Sequence, residues 1–497
     1  GRREARVTYG TLAALAAGYA RGFAHAGLAA GDPVCVLAPA SPRFVALALA
    51  ALGAGLPLVL ADGRRPARAL LGVLRDAAPR AVVAPRALLG WWPLVPALCR
   101  ARRWTTDGRV PGARPLAELW RGEARYAWDA VSLSTVGAAP PHADDAALVS
   151  FTSGRTGRAA GVVRSRGVLL AQHEALRAAL PVPPEGVHLT ALPMAALHVL
   201  CGGGTAVLCR PDRPADAAAA LARHAATSVS GAPAFLRALA EHLGADDPGR
   251  AAAGAVRHML VGGGPVSRGL AWALGAAFPA ATGVAVYGAT EAEPIALTPL
   301  AEVAAEAGPG FLVGRPAAGT AVALVAPGAA PSPVSPWPPP AGTHGEVCVR
   351  GPHVTTRRLG DGATRGDNAD PWHRTGDLGC VDAGGRLWLT GSVGAAVPGV
   401  PAPYAAEAEA LTLPGVRAAG CVAVRAAGGA RAVLAVEVAA DADAASVVGS
   451  LRRRLDTLGM DAVRVRVVPH VPVDARHASK VRRADLAAML ARAGDAR

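Results

Sequence analysis

The chain has a single lysine, Lys480, against fifty arginines, and it has almost no asparagine. Ala, Gly, Arg, Pro and Val are abundant along the whole length, which reads as a coding bias rather than local selection. Two readings of Lys480 follow. It is a chance survivor of that bias, or it marks a site that needs a compact, mobile point charge where the planar arginine fork would not serve. Aromatic residues are also scarce, at 4%. The net charge of +14 invites a nucleic-acid or membrane-surface reading,. Single-strand binding, however, needs aromatic platforms beside the cations, and here the arginines are scattered. No nucleic-acid partner is expected. The seven cysteines form no CxxC pair, and several lie in apolar runs. That excludes a disulfide scaffold and a zinc site, and suggests buried free thiols in a reducing, cytoplasmic setting. The opening "GRREARVTYG" shows no secretory leader and no initiator Met, so an earlier segment is expected to be missing,. Residues 44–61, "FVALALAALGAGLPLVLA", carry no charge and touch the lower length for a membrane span,. Gly53, Gly55 and Pro57 divide them into a buried helix, a turn and a buried strand. No transmembrane segment is expected.

Hydrophobic residues make up 52% of 497, which excludes disorder as the main state and leaves room for several domains,. The first 90 residues alternate between helical spacing, as in "TLAALAAGYARGFAHAG", and short apolar strands such as "PVCVLAP" and "AVVAP". The pattern resumes after residue 145 with "LVSFTSG", "GTAVLC", "SVSGAP", "HMLVGGG" and "GVAVYGATE". Such alternation predicts an α/β fold with buried parallel strands. Residues 326–342 are Pro-rich and read as a surface loop,. A Gly/Pro/Ala run near 392–403 suits a hinge, and after it come two strands, a helix, a strand and a last helix. The expected division is a large domain of mixed sheets and helices over 1–391 and a small α+β lid over 392–497. Lys480 falls in the loop before the final helix.

Three motifs carry chemistry. "FTSGRTGRAAGVV", residues 151–163, places Thr152, Ser153, Gly154, Thr156 and Gly157 after a strand. Glycines and small hydroxylated residues let backbone N–H groups face an anion, although the Walker GK[ST] ending is absent. A plain strand-to-strand turn is the competing reading. In "VYGATEAEP", residues 286–294, Tyr287 offers a flat face for a base. Thr290 and Glu291 set a hydroxyl beside a carboxylate, suited to a phosphate and a hard metal ion. In "HRTGDLGCVDAGGRLWLTG", residues 373–391, Asp377 follows a glycine in an expected turn and could accept hydrogen bonds from a ribose. A hairpin turn "DAGG" with a structural aspartate is the alternative there.

The order and spacing of the three motifs, with Lys480 after a hinge, resemble the adenylate-forming superfamily of acyl-CoA synthetases, adenylation domains and luciferases. The resemblance covers essentially the whole chain. "YGATEAEPIA", "VPVDARHASKVRR", "GPHVTTRR" and "RALLGWW" are more narrowly similar to the olefin-pathway β-lactone synthetases, largely through Asp474, Arg476, His477 and Lys480. The resemblance implies ATP and Mg2+ as cofactors. Thr152, Ser153, Gly154, Thr156 and Gly157 would hold the ATP phosphates. Gly262, Gly263 and Gly264 would line the adenine and acyl pocket. Tyr287 would stack on adenine, with Gly288 and Ala289 counted among the nucleotide-binding residues. Thr290 would touch the α-phosphate, Glu291 would bind magnesium and Asp377 would hold the ribose. Lys480 would swing in on the lid towards the acyl carboxylate and the α-phosphate. A 2-alkyl-3-hydroxy fatty acid would become an acyl-adenylate with release of pyrophosphate. Its own β-hydroxyl would then close a β-lactone and expel AMP, in the company of other enzymes of a hydrocarbon or β-lactone pathway. Small residues in "PMAAL", 193–197, and "GAPA", 231–234, would leave a roomy apolar channel for alkyl chains,.

Two departures stand against this pattern. The phosphate loop has Arg155 and Ala160 where the family usually has a serine and a lysine, and the hinge has Ser392 where an arginine is usual. One lost charged contact of this kind costs roughly 3 kcal/mol, or about 10²-fold in rate. Arg158 or Arg164 is the available compensation. Two alternatives therefore remain open: an acyl-CoA or acyl-AMP ligase of the same fold, and a degenerate, non-catalytic homologue that serves as a binding partner.

Overall fold

The computed structural model describes residues 4–61, 67–121, 142–152, 160–181, 183, 185–243, 247–329, 331, 337–360, 372–426, 429–474 and 478–494. They fall into two compact units, one of residues 1–172 with 352–371 and one of residues 173–351 with 372–497.

In the first unit the strands are β1 (Val34–Val36), β2 (Leu58–Leu60), β3 (Ala81–Ala84), β4 (Arg102–Thr105), β5 (Arg114–Pro115), β6 (Ala146–Thr152) and β7 (Ala160–Ser165). They form one sheet in the order β5-β4-β3-β1-β2-β6-β7, parallel except for the last pair. The uncharged run at 44–61 resolves as expected. Ser41 caps the helix Pro42–Gly53 by accepting from the Phe44 N–H at 3.2 Å. Pro42 sits in the first turn, where a missing N–H does no harm. Gly55 then takes φ +73°, which reverses the chain into β2,. Both faces of the β1 and β3 strands are buried, so their apolar runs are continuous rather than alternating,. The core gathers Val59, Val73, Leu74, Val82, Leu89 and Leu98.

In the second unit the strands are β8 (Val187–Thr190), β9 (Thr205–Leu208), β10 (Ser228–Gly231), β11 (His258–Gly262), β12 (Thr282–Ala289), β13 (Ala292–Pro299), β14 (Phe311–Pro316), β15 (Ala321–Val325), β16 (His344–Arg350), β17 (His373–Val381) and β18 (Leu387–Ser392). They run in one sheet, β15-β16-β17-β18-β14-β13-β12-β11-β10-β8-β9. The β8 to β12 half is parallel and β13 to β18 is antiparallel. The chain then builds a separate sheet, β19 (Val416–Ala426), β20 (Gly429–Val438) and β21 (Arg464–Val468). On it pack the helix Ala444–Thr457, capped by Asp443, and the last helix Arg483–Gly494. Buried leucines such as Leu451 and Leu486 hold these helices down, each contributing about 1.5–3 kcal/mol. The fold is therefore mixed α/β with a small C-terminal α+β module.

All seven cysteines are free, but the expectation of burial holds only in part. Cys35, Cys348, Cys380 and Cys421 are buried, whereas Cys99 and Cys201 are exposed.

Candidate active site

β11 and β12 are parallel neighbours, with Gly262 opposite Val286. The glycines after β11 and the Tyr287–Ala289 end of β12 therefore emerge at the same level of the sheet. This is the carboxyl end of the parallel strands, where open α/β sheets bind ligands. Gly263 takes φ +88°, a conformation that side chains resist,. Thr290 and Glu291 form the short link from β12 to β13, and Glu291 is buried there.

Tyr287 reaches across to β17, where its hydroxyl donates to Asp377 Oδ2 at 2.8 Å. Burial first, and then the Asp377 charge, push the Tyr287 hydroxyl well above the usual phenol range, so it remains a donor,. A ribose would share this carboxylate with the phenol. Asp377 does not lie in a turn, as its sequence suggested. It lies within β17, after Gly376 at φ +78°. The turn comes five residues later, where the Asp382 carboxylate accepts from the Gly384 and Arg386 N–H groups and from Trp388 Nε1. The "DAGG" hairpin exists, and Asp382 is its structural aspartate. Ser392 pairs with Asp377 in the β17–β18 register, and its hydroxyl donates to the Gly376 carbonyl at 3.1 Å.

Lys480 is exposed on a short loop. Asp474 Oδ1 accepts from the Ser479 N–H at 3.2 Å and the Lys480 N–H at 2.8 Å, and the Asp474 N–H donates to the Lys480 carbonyl at 2.9 Å. Ala478 takes φ +50° in the bend. Ser479 Oγ accepts from the Ala234 N–H at 3.4 Å. A Cβ added to Gly264 would come within 2.4 Å of the Ser479 Cβ. The lysine loop thus rests on the "GAPA" and "GGGP" segments, which follow β10 and β11, two strands and one strand from the β12 of Tyr287.

Two groups here were not anticipated. Tyr404, on the helix Pro403–Ala410, packs on Phe311 with centroids 5.6 Å apart. The Arg483 guanidinium lies 4.8 Å from the centre of the Tyr404 ring and forms a part-buried two-point ion pair with Glu407. Burial pushes the Tyr404 hydroxyl up to about 12. The second group is the imidazole of His188 on β8, with Ser228 Oγ and Ser230 Oγ each 2.8 Å from a ring nitrogen. Burial and, next, nearby His198 push His188 down to about 3. His198 is held down to about 4 by burial and by His173, whose Nδ1 is 2.8 Å from its own. Both rings are neutral at pH 7.

In the first unit, Thr152 ends β6 opposite Ala160 at the start of β7. Ser153, Gly154, Thr156 and Gly157, with Arg155 and Arg158, lie outside the described residues, as do Arg476 and His477. Arg164 is buried and donates to Ser150 Oγ at 2.8 Å and Gln172 Oε1 at 3.3 Å, a structural task inside its own unit. None of the expected site residues lines the cleft between Val266, Phe311, Trp388 and Thr412.

Tyr287 and Asp377, with the glycines that follow β11, gather at the carboxyl ends of β11 and β12, a placement that suits a nucleotide-binding enzyme,. The chain belongs to the AMP-binding enzyme family, which it matches over residues 2–357. It is an AMP-forming ligase, and ATP is the nucleotide of its family. Among curated proteins it is 32% identical to the olefin beta-lactone synthetase of Xanthomonas campestris pv. campestris, over 97% of this chain and 91% of that one. It is 31% identical to the enzyme of the same name from Stenotrophomonas maltophilia, with the same coverage. Among solved structures, the amide bond synthetase McbA from Marinactinospora thermotolerans superposes with a TM-score of 0.78 at 25% identity, covering 97% of this chain and 95% of that one.

Proposed function

We propose that the chain activates a 2-alkyl-3-hydroxy fatty acid with ATP and closes it to a β-lactone. A carboxylate oxygen attacks the α-phosphorus, and the bond to pyrophosphate breaks. The substrate's β-hydroxyl oxygen then attacks the acyl carbon, the hydroxyl loses its proton, and AMP leaves. Asp377 and Tyr287 would hold the nucleoside, while Thr152, Ser153, Gly154, Thr156 and Gly157 would hold the phosphates. A magnesium ion suits Glu291, a buried hard-oxygen donor that needs only the phosphates and water to complete its shell,. The metal would neutralise phosphate charge, and Thr290 would orient the α-phosphate. Residues 392–497 act as the lid that carries Lys480.

The observation that carries this reading is the seating of the lysine loop on Ala234 and Gly264, beside the strand that bears Tyr287. A cation delivered there stabilises charge as it develops in a site closed from water. Holding hydroxyl and carbonyl together makes ring closure a proximity effect. The similarity to two β-lactone synthetases along nearly the whole chain favours the lactone over a thioester product.

The test is incubation with ATP, Mg2+ and a racemic 2-alkyl-3-hydroxy acid, with and without CoA. Pyrophosphate, AMP and a lactone without CoA are expected. CoA consumption with a thioester product would establish the CoA-ligase alternative. No pyrophosphate with any hydroxy acid would leave the non-catalytic homologue.

A further inference from the structure

The segment "RALLGWWPLVPALCR", 86–100, plays no part in the site above. At the short turn Trp92–Leu94 and the residue before it, two large apolar side chains face solvent, Trp91 at 65% exposure and Leu94 at 75%. The protein holds them there firmly. Trp92 faces the other way, with its Nε1 donating to the Pro111 carbonyl at 2.6 Å and the Arg103 guanidinium 4.0 Å from its ring centre. Arg103 Nε donates in turn to the Gly112 carbonyl at 3.0 Å, and a Cβ on Gly112 would strike the Trp92 ring. The outward pair is therefore a fixed protrusion on a braced turn, while Val95 and Leu98 enter the core.

Its setting is strongly basic. Residues 86–114 contain six arginines and one acidic residue, Asp107. Arg86, Arg100, Arg102, Arg109 and Arg114 are exposed. The Asp107 carboxylate accepts from the Arg86 N–H at 2.7 Å. Over the chain as a whole the arginines are scattered and the aromatics few. This stretch concentrates both.

We propose that Trp91 and Leu94, with the exposed arginines of the same stretch, dock the enzyme on the surface of an anionic lipid bilayer. Tryptophan is favoured at the boundary between headgroups and acyl chains, and leucine can enter just below it. The arginines meet the negative lipid headgroups. A second copy of the chain would bring like charge against like charge, which disfavours self-association through this face. Among the described residues no helix is long and apolar enough to cross a membrane, so the contact would be peripheral. If the acid is long-chained, as the proposed function has it, docking would bring the ligase to where that acid dissolves.

The experiment is vesicle flotation of the full chain, using phosphatidylcholine with and without phosphatidylglycerol. Binding should require phosphatidylglycerol and should fade as salt rises from about 0.05 to 0.5 M. Trp91→Ser with Leu94→Ser should lower partitioning at least ~10-fold. Pyrophosphate release with a short, soluble 3-hydroxy acid should stay unchanged. A conservative variant guards against misfolding. Lipids brominated on the acyl chain should quench part of the emission of the nine tryptophans, and Trp91→Phe should remove most of that quench. Failure of the parent to bind anionic vesicles would overturn the proposal. So would full binding by the double variant, an undiminished quench in Trp91→Phe, or a concentration-dependent dimer that the double variant abolishes. None of these outcomes depends on which acid the enzyme activates.

Discussion

Tyr287 and Asp377 differ from Lys480 in how the fold holds them. The first two stand on β12 and β17 of one large sheet, joined by a 2.8 Å hydrogen bond and each held in register with a neighbouring strand. Lys480 stands exposed on a loop that Asp474 ties to itself and that meets the large sheet's segments through Ser479. The strand-held pair should be set before substrate arrives, and the loop-held cation should be the more movable of the two. Groups of the first kind should govern nucleotide affinity, and a group of the second kind should govern the chemical step.

Short of removing Lys480 itself, the largest way to break this contrast is to untie the loop. Asp474→Ala leaves two backbone N–H groups without their carboxylate, a loss of about 1–3 kcal/mol. Pyrophosphate release should fall roughly 10- to 100-fold, with ATP affinity nearly intact. Isothermal titration with ATP, beside a pyrophosphate assay, checks it. An equal fall in affinity would erase the distinction.

Tyr287→Phe sharpens the other side. It removes one hydrogen bond to a carboxylate, worth about 1.5–3 kcal/mol, and frees Asp377 to shift. The expected result is weaker ATP binding with the rate at saturating ATP little changed. A variant with normal affinity and a slow chemical step would place Tyr287 with Lys480 instead.

The smallest effect concerns stability of the strands beneath. His188 and His198 have folded pKa values of about 3 and 4, against about 6.5 in the unfolded chain. Below about pH 6.5 the unfolded state takes up protons that the folded state does not, so stability falls as the pH drops towards 4. Urea unfolding at several pH values checks this. His188→Asn should flatten the dependence, and an unchanged slope would remove the buried imidazole as its source.

The elements legible in the sequence were those whose signal is local. The runs "PVCVLAP" and "AVVAP" became β1 and β3 because both faces of those strands are buried, and "SVVGSLRRRLDTLG" became a helix with Val447, Leu451 and Leu455 inward. The antiparallel β16 and β17 were harder to see. They carry Glu346 and Arg374, which pair with each other across the strands and so interrupt the apolar alternation. In the site, the motifs marked Tyr287, Asp377 and Lys480, but nothing local announced that Tyr287 would bind Asp377 ninety residues on. Arg483 and Glu407 were missed for the same reason, since 76 residues separate them. A tyrosine just after the hinge, in "PAPYAAE", was the one hint of that cluster.

The division between strand-held binding and loop-held chemistry is tested most directly by Lys480→Ala and Lys480→Arg. Each is compared with the parent in single-turnover pyrophosphate release and in ATP titration. The account predicts a loss of at least about 10²-fold in the chemical step for Lys480→Ala. It predicts little recovery for Lys480→Arg, whose planar fork cannot place one nitrogen between two oxygens, and ATP affinity within about threefold of the parent for both. Near-normal turnover in Lys480→Arg, or a loss of ATP affinity that matches the loss of rate in Lys480→Ala, would contradict it.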